Sequence, residues 1–152
     1  MKIAVLMFAL LLVVSAVIVR GTSTKSMSLN SSEEAAARVP LEDYIKGHET
    51  GKGDFMRKAF FADAKIMAFR EGKLVNITLE EFASRFSGQP AADESQRRRR
   101  IDSVEITGNA GFGKITLEYP TVTFTDYMSL LKIDGTWKIV NKVFHAEPKP
   151  KP

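Results

Sequence analysis

The stretch VTFTDYMSLLKIDGTWKIVNKVFH, residues 122–145, decides the fold. Two runs of strand-forming residues, Val122–Ile133 and Thr136–Phe144, meet at Asp134-Gly135. A two-residue type I′ turn needs positive φ at both central positions, and Asp-Gly supplies it with little strain. The reading is a β-hairpin in which Ile133 faces Thr136. Regular pairing from that end sets Leu130 opposite Ile139, Met128 opposite Asn141, Asp126 opposite Val143 and Phe124 opposite His145. Side chains alternate across a sheet, so these residues share one face with Val122. That face is mostly apolar, yet it carries Asp126, Asn141 and His145. The other face holds Thr125, Tyr127, Ser129, Lys138 and Lys142 and is the wetter one. An acid, an amide and an imidazole are therefore expected on the buried side of a sheet.

The whole chain has 152 residues, 44% of them hydrophobic, which suits one globular domain with a real core. Much of its net charge of +4 comes from Arg97–Arg100. No aromatic residue interleaves that run, and Asp93 and Glu94 precede it. It reads as the solvated start of a strand, not as a nucleic-acid surface. Cysteine is absent. That excludes disulfides, thiolate metal ligands, a cysteine nucleophile and a lipidated cysteine. Phosphate loops, nucleophile elbows and zinc spacings are absent as well.

At the start of the chain, Lys2 precedes Ile3–Val19, a run with no charge and with Ser15 as its one polar residue. This is the pattern of a secretory signal peptide, and it is just long enough for a membrane anchor. The domain is expected outside the cytoplasm, periplasmic or secreted, or else anchored by an uncleaved helix. The organisation is then a signal or anchor at 1–19, a Ser/Thr-rich linker at 20–32, the domain at 33–147 and a disordered proline-rich tail at 148–152.

Within the domain, Ser31 and Glu34 have the capping-box spacing. Leu41, Tyr44, Ile45 and His48 fall at i, i+3, i+4 and i+7 and define one helical face that stops at Gly51. Pro40 either opens a second helix or kinks a continuous one. His48 lies on the inward side, one turn beyond Tyr44. Asp54 opens a short helix through Phe60. Ala64–Arg70 and Lys73–Ile77 read as a small hairpin around Glu71-Gly72. Thr78 and Glu81 form another capping box, opening a helix with Leu79, Phe82, Ala83 and Phe86 inward. After a loop at 87–96, strands follow at Arg98–Thr107 and from Gly111, with a bulge at Gly111 and Gly113 and a break at Pro120. Helices first and antiparallel strands last make an α+β fold: a curved antiparallel sheet wrapped around N-terminal helices as a cone.

Tyr44-Ile45-Lys46-Gly47-His48, Met56–Phe60 with Ala62-Asp63-Ala64, Phe124-Thr125-Asp126-Tyr127 and Trp137 through His145 occur in an order that resembles the nuclear-transport-factor-2-like superfamily. Within it, the chain is similar to the lumazine-binding-like branch, the SnoaL/ketosteroid-isomerase-like cones. The resemblance spans roughly Val39–Glu147. It implies a cystatin-like cone with a pocket, and a homodimer formed through the sheet. It departs at Phe61, where the family commonly carries a histidine.

Asp126 and His48 are the candidate catalytic residues. A carboxylate on an apolar face must find donors or rise in pKa, and a raised one can take a proton next to a carbonyl. Structural readings stand beside these: Asp126 bonded to Asn141, a helix end or water, and His48 as a satisfied core histidine. Tyr44, Phe124, Met128, Asn141, His145 and Trp137 are the candidate ligand contacts, with Phe69, Phe82 and Phe86 as further wall residues or plain core. Asp126, His48 and His145 lack the spacing of a metal set, so neither metal nor cofactor is expected. The partner expected is a small molecule and not nucleic acid, with membrane contact only through Ile3–Val19. Three functions fit: a binder of a small, largely apolar ligand; a cofactor-independent isomerase, dehydratase or cyclase with Asp126 or His48 as base; and a non-catalytic dimeric interaction domain.

Overall fold

The computed structural model describes residues 22–150, and side chains from Ser31 onward. The predicted signal or anchor at 1–19 lies outside the described residues. Among those described, no helix is long and apolar enough to cross a membrane. Helix α1 runs over Thr22–Thr50 as one piece, with Pro40 inside it. It extends past Ser31, so the capping pattern there is not its start, and the segment read as a linker is helical from Thr22 on. No Gly or Pro lies between Thr22 and Val39 to interrupt it. Helices α2 (Gly53–Ala59) and α3 (Leu79–Ala83) complete the helical layer. Thr78 caps α3 through the full capping box with Glu81, as its sequence spacing predicts.

Six strands form one curved, unclosed sheet: β1 Phe60–Arg70, β2 Lys73–Thr78, β3 Arg98–Thr107, β4 Ala110–Glu118, β5 Val122–Ile133 and β6 Thr136–Pro148. Their order is β2-β1-β6-β5-β4-β3. The α+β cone expected from the sequence is present. The expectation of an all-antiparallel sheet needs one correction, because β1 and β6 pair in parallel. Four strands and helix α3 separate them in the chain, ample length for the crossover that parallel neighbours require. Strand β6 also continues through Pro148, opposite Val122, where a frayed tail was expected.

Asp134 and Gly135 have φ of 49° and 79°, both positive as a type I′ turn requires. Pairing starts as predicted, with Ile133 opposite Thr136 and Leu130 opposite Ile139. The register then shifts: Ser129 pairs with Asn141 and Met128 with Lys142, leaving Val140 as the extra residue of a bulge. From there on, the alternation of β6 is the reverse of that predicted. Lys142 turns inward and is 4% exposed. Asn141 turns outward, and Val143 and His145 are exposed. Asp126 belongs to the unbulged strand, keeps its predicted facing and is wholly buried.

Strand β3 has a second bulge, where Asp102 interrupts the pairing between Ile101 and Ser103. Gly111 and Gly113, expected at a bulge, pair regularly. Gly113 serves instead to let α1 approach the sheet. A Cβ there would stand 2.5 Å from Leu41 Cδ1. Along α1, Ala37, Leu41 and Tyr44 are fully buried against the sheet, with Met56, Ile115, Met128, Leu130 and Ile139 around them. The break at Pro120 occurs as predicted, with Tyr119 N–H bonding Val122 O at 2.9 Å across the turn.

Gly51 fixes the end of α1. Its φ is +67°, and a Cβ would fall 1.8 Å from the Gln89 carbonyl oxygen. Its own carbonyl accepts from Gly88 N–H at 2.7 Å. The last turn of α1, with His48, is thereby tied to the 87–96 loop. Gly51→Ala is expected to lower stability by at least about 2 kcal/mol, since it meets both backbone strain and a backbone clash. Gly72→Ala, at similar φ but with open space around it, should cost less. Urea denaturation followed by circular dichroism makes the comparison, and equal losses would contradict it.

Candidate functional site

The deepest polar group is Asp126 on β5, held between α1 and β6. Tyr44 of α1 donates its hydroxyl to Asp126 Oδ2 at 2.6 Å. Lys142 of β6 donates to the Tyr44 hydroxyl at 2.5 Å. The Lys142 ammonium also stands 3.1 Å from Asp126 Oδ1. That approach is ionic and not aligned as a hydrogen bond, since Oδ1 has no hydrogen-bond partner. The Lys142 and Asp126 side chains are 5% and 0% exposed. Three rings surround the ammonium: Tyr44 and Phe144 with centroids at 4.8 Å, and Phe82 at 5.3 Å. Such contacts partly replace lost hydration of a cation.

The buried setting controls the charge states. Burial, and then the Asp126 carboxylate, hold the Tyr44 hydroxyl well above its ordinary pKa, so it remains a donor. Burial pushes the Lys142 ammonium down from its ordinary value, while Asp126 opposes the shift. A lysine shifts readily towards its neutral form when buried.

His48 lies one turn further along α1, its ring 4.6 Å from that of Tyr44. It also meets Phe86 at 5.1 Å and Phe82 at 6.1 Å. Nδ1 lies 3.3 Å from the Tyr119 hydroxyl, and Nε2 is buried without a partner. Burial first, then Lys142, Arg99 and Arg97, push its pKa well below 6.5. The imidazole is therefore neutral at neutral pH, a hydrogen-bonding group and not a cation. Tyr44 touches both His48 and Asp126 and so links the two predicted catalytic residues. The hydroxyl of Tyr44, not the imidazole, is the group bonded to the carboxylate.

Above them sits a basic and aromatic layer. Arg97 lies over the Tyr119 ring at 4.2 Å and Arg99 at 5.3 Å. Arg99 is 3% exposed in its side chain, pairs with Glu94 and leaves its buried Nε without a partner. Alternation from Arg97 into β3 puts Arg97 and Arg99 inward and Arg98 and Arg100 outward, so the run is not uniformly solvated. Among the described residues, the buried side-chain atoms lacking a hydrogen-bond partner are His48 Nε2, Arg99 Nε and Asp126 Oδ1. A buried polar atom with no partner costs about 1–3 kcal/mol; for Asp126 Oδ1 the Lys142 ammonium at 3.1 Å offsets that cost. All three belong to this region.

The chain matches the family described as "Putative lumazine-binding" over residues 32–145. It belongs to this family. Solved structures agree on the fold. An NTF2-like protein of unknown function from Shewanella baltica OS155 is similar with a TM-score of 0.71 and 25% identity, over 78% of this chain and 97% of that one. Another, from Methylobacillus flagellatus KT, has a TM-score of 0.60 and 28% identity, over 84% and 96%. A curated relative, "Aldolase FrzH" of Cladobotryum sp, is 24% identical over 123 residues, covering 80% of this chain and 97% of its own length.

Within this lumazine-binding-like cone, the other predicted ligand contacts separate. Phe124 is half-buried, edge-on to Tyr119 at 5.7 Å and tilted against Phe144 at 6.1 Å. Met128 is buried in the core beside Lys142 on the same face. The Val140 bulge removes Asn141 and His145 to the outer face. His145 is thus on the opposite side of the sheet from Asp126, and the two do not meet. Trp137 is buried at the other end of the hairpin, where Nε1 donates to Glu33 at 3.2 Å. Its partner Lys132 lies roughly 20 Å from Asp126 along β5 at about 3.3 Å per residue. Trp137 therefore locks α1 to the hairpin and does not wall this region. Phe69 and Phe61 are exposed. Lys142, Tyr119 and Arg99 were missed as site residues. For Arg99 the signal was its same-face spacing with Ile101.

The neutral His48 makes stability depend on pH. As pH falls through 6.5 the unfolded chain's histidine takes up a proton, while the buried imidazole, held well below that value, does not. The unfolded state binds the extra proton, so acid favours unfolding. The wild type should lose stability from pH 7 to about 5, above the ordinary carboxylate range. His48→Phe should lose less over the same interval. Urea midpoints at each pH measure both, and parallel curves would refute a buried neutral His48.

Proposed function

We propose that the cone binds a small, largely apolar carbonyl compound and moves a proton at the carbon beside its carbonyl, without a cofactor. The buried cluster of Tyr44, Asp126 and Lys142 carries this reading. Proton removal beside a carbonyl needs a base and a counterweight for the negative charge that develops on oxygen. Asp126 is the base. Tyr44 and Lys142 supply the hydroxyl and the ammonium for the oxygen. His48 Nε2 and the rings of Phe82, Phe86, Phe124 and Phe144 orient the remainder of the ligand. The relative named an aldolase supports this assignment. Making or breaking a carbon–carbon bond beside a carbonyl passes through the same enol-type species. The apolar Ile3–Val19 run supports action outside the cytoplasm.

A binder without chemistry is the second reading, favoured by the complete burial of Tyr44 and Asp126. Proton exchange separates the two. The protein is incubated in D₂O with cyclohexanone, acetone or pyruvate, and loss of the α-proton signal is followed by NMR. The wild type should exchange at least one probe faster than buffer. Asp126→Asn, verified as folded, should slow that exchange by at least about 100-fold. No exchange with any probe, or an undiminished rate in Asp126→Asn, would overturn the enzymatic reading. Native mass spectrometry showing a retained ligand without exchange would favour the binder.

A further inference from the structure

We propose that Lys142 is a covalent site: its Nζ forms a Schiff base with the carbonyl compound held in the cone. This rests on the carbonyl reading above and goes beyond it by adding a bond to the protein. Three features of the geometry point to it. The ammonium sits 3.1 Å from a carboxylate that can take its proton. It sits 2.5 Å from a hydroxyl that can relay one. The rings over it at Phe82 and Phe144 are only partly buried, so a small ligand need displace just that layer. A lysine kept solely to neutralise Asp126 needs neither the hydroxyl relay nor a partly open aromatic cover. Burial, which lowers the ammonium's pKa against the pull of Asp126, also favours the reactive free amine.

The step balances without an oxidant or reductant. Lys142 passes one proton to Asp126 and becomes a neutral amine. Its lone pair attacks the carbonyl carbon, and the C=O π pair moves to oxygen. Tyr44 relays the proton lost by nitrogen to that oxygen, giving a carbinolamine. Asp126 returns its proton to the hydroxyl, which leaves as water, and the nitrogen lone pair forms the C=N bond of the iminium. The Asp126 carboxylate, free again, removes the α-proton to give an enamine. Water reverses the sequence and releases the amine.

The test is reductive trapping of the wild-type full chain at pH 7 with cyclohexanone and sodium cyanoborohydride, followed by intact mass and peptide mapping. The expected result is one adduct per chain, on Lys142, formed at least about tenfold faster than at the exposed Lys73, because burial favours the free amine. Lys142→Arg, which keeps the charge, should lose that adduct. Mapping on the wild type needs no variant to fold. Modification of Lys142 no faster than Lys73 overturns the covalent step. If α-proton exchange continues in that case, enolisation by Asp126 stands without it. If neither exchange nor adduct is seen, both proposals fall.

Discussion

The cone depends on one buried ion pair. Lys142 and Asp126 bring α1, β5 and β6 to a single point through Tyr44, and Phe82, just behind the first turn of α3, covers it. Removing two charges from water costs several kcal/mol per ion, and mutual attraction offsets this only with good geometry and further hydrogen bonds. Here the hydroxyl bridges both partners, and three rings take the place of solvent around the ammonium. If either charge were lost, the other would be left uncompensated in the core. The position of Tyr44 on the inner face of α1 is therefore as important to the sheet as to the helix.

A well-packed apolar trio would hold the same elements together at least as well, since buried ion pairs are weak contributors to net stability. The polar cluster has a stronger explanation in chemistry. Its surroundings support this view. Burial first, then Lys142 and the arginines of the layer above, which are paired with Glu94 and Asp93, keep His48 neutral. Three buried polar atoms in this region lack a hydrogen-bond partner. Concentrated unsatisfied groups and shifted charge states are features of sites more than of cores.

The family and the NTF2-like neighbours establish the fold, and the same fold carries many chemistries. The site must therefore be read from this chain's own residues. Phe61 is exposed and contributes no imidazole. Lys142 takes a central place that the regular hairpin register would have given to Asn141.

Local chemistry determined much of this protein by itself. Asp134-Gly135 set the closing turn because that pair tolerates positive φ. The Thr78–Glu81 box opened α3, Pro120 divided β4 from β5, and the i, i+3, i+4, i+7 spacing placed Tyr44 and His48 inward. Turn conformation, capping and side-chain period all act over a few residues, so sequence order alone carries them. The tertiary structure decided the rest. The parallel pairing of β1 with β6 and the bulge at Val140 depend on contacts between distant segments. The bulge brings Lys142 to Tyr44, separated by 98 positions in the chain, and no local alternation records it. Asp126 could be read as buried from its own strand. Its partner was settled only when one extra residue in the neighbouring strand exchanged the two faces of β6, because a buried carboxylate is stable only where a cation reaches it.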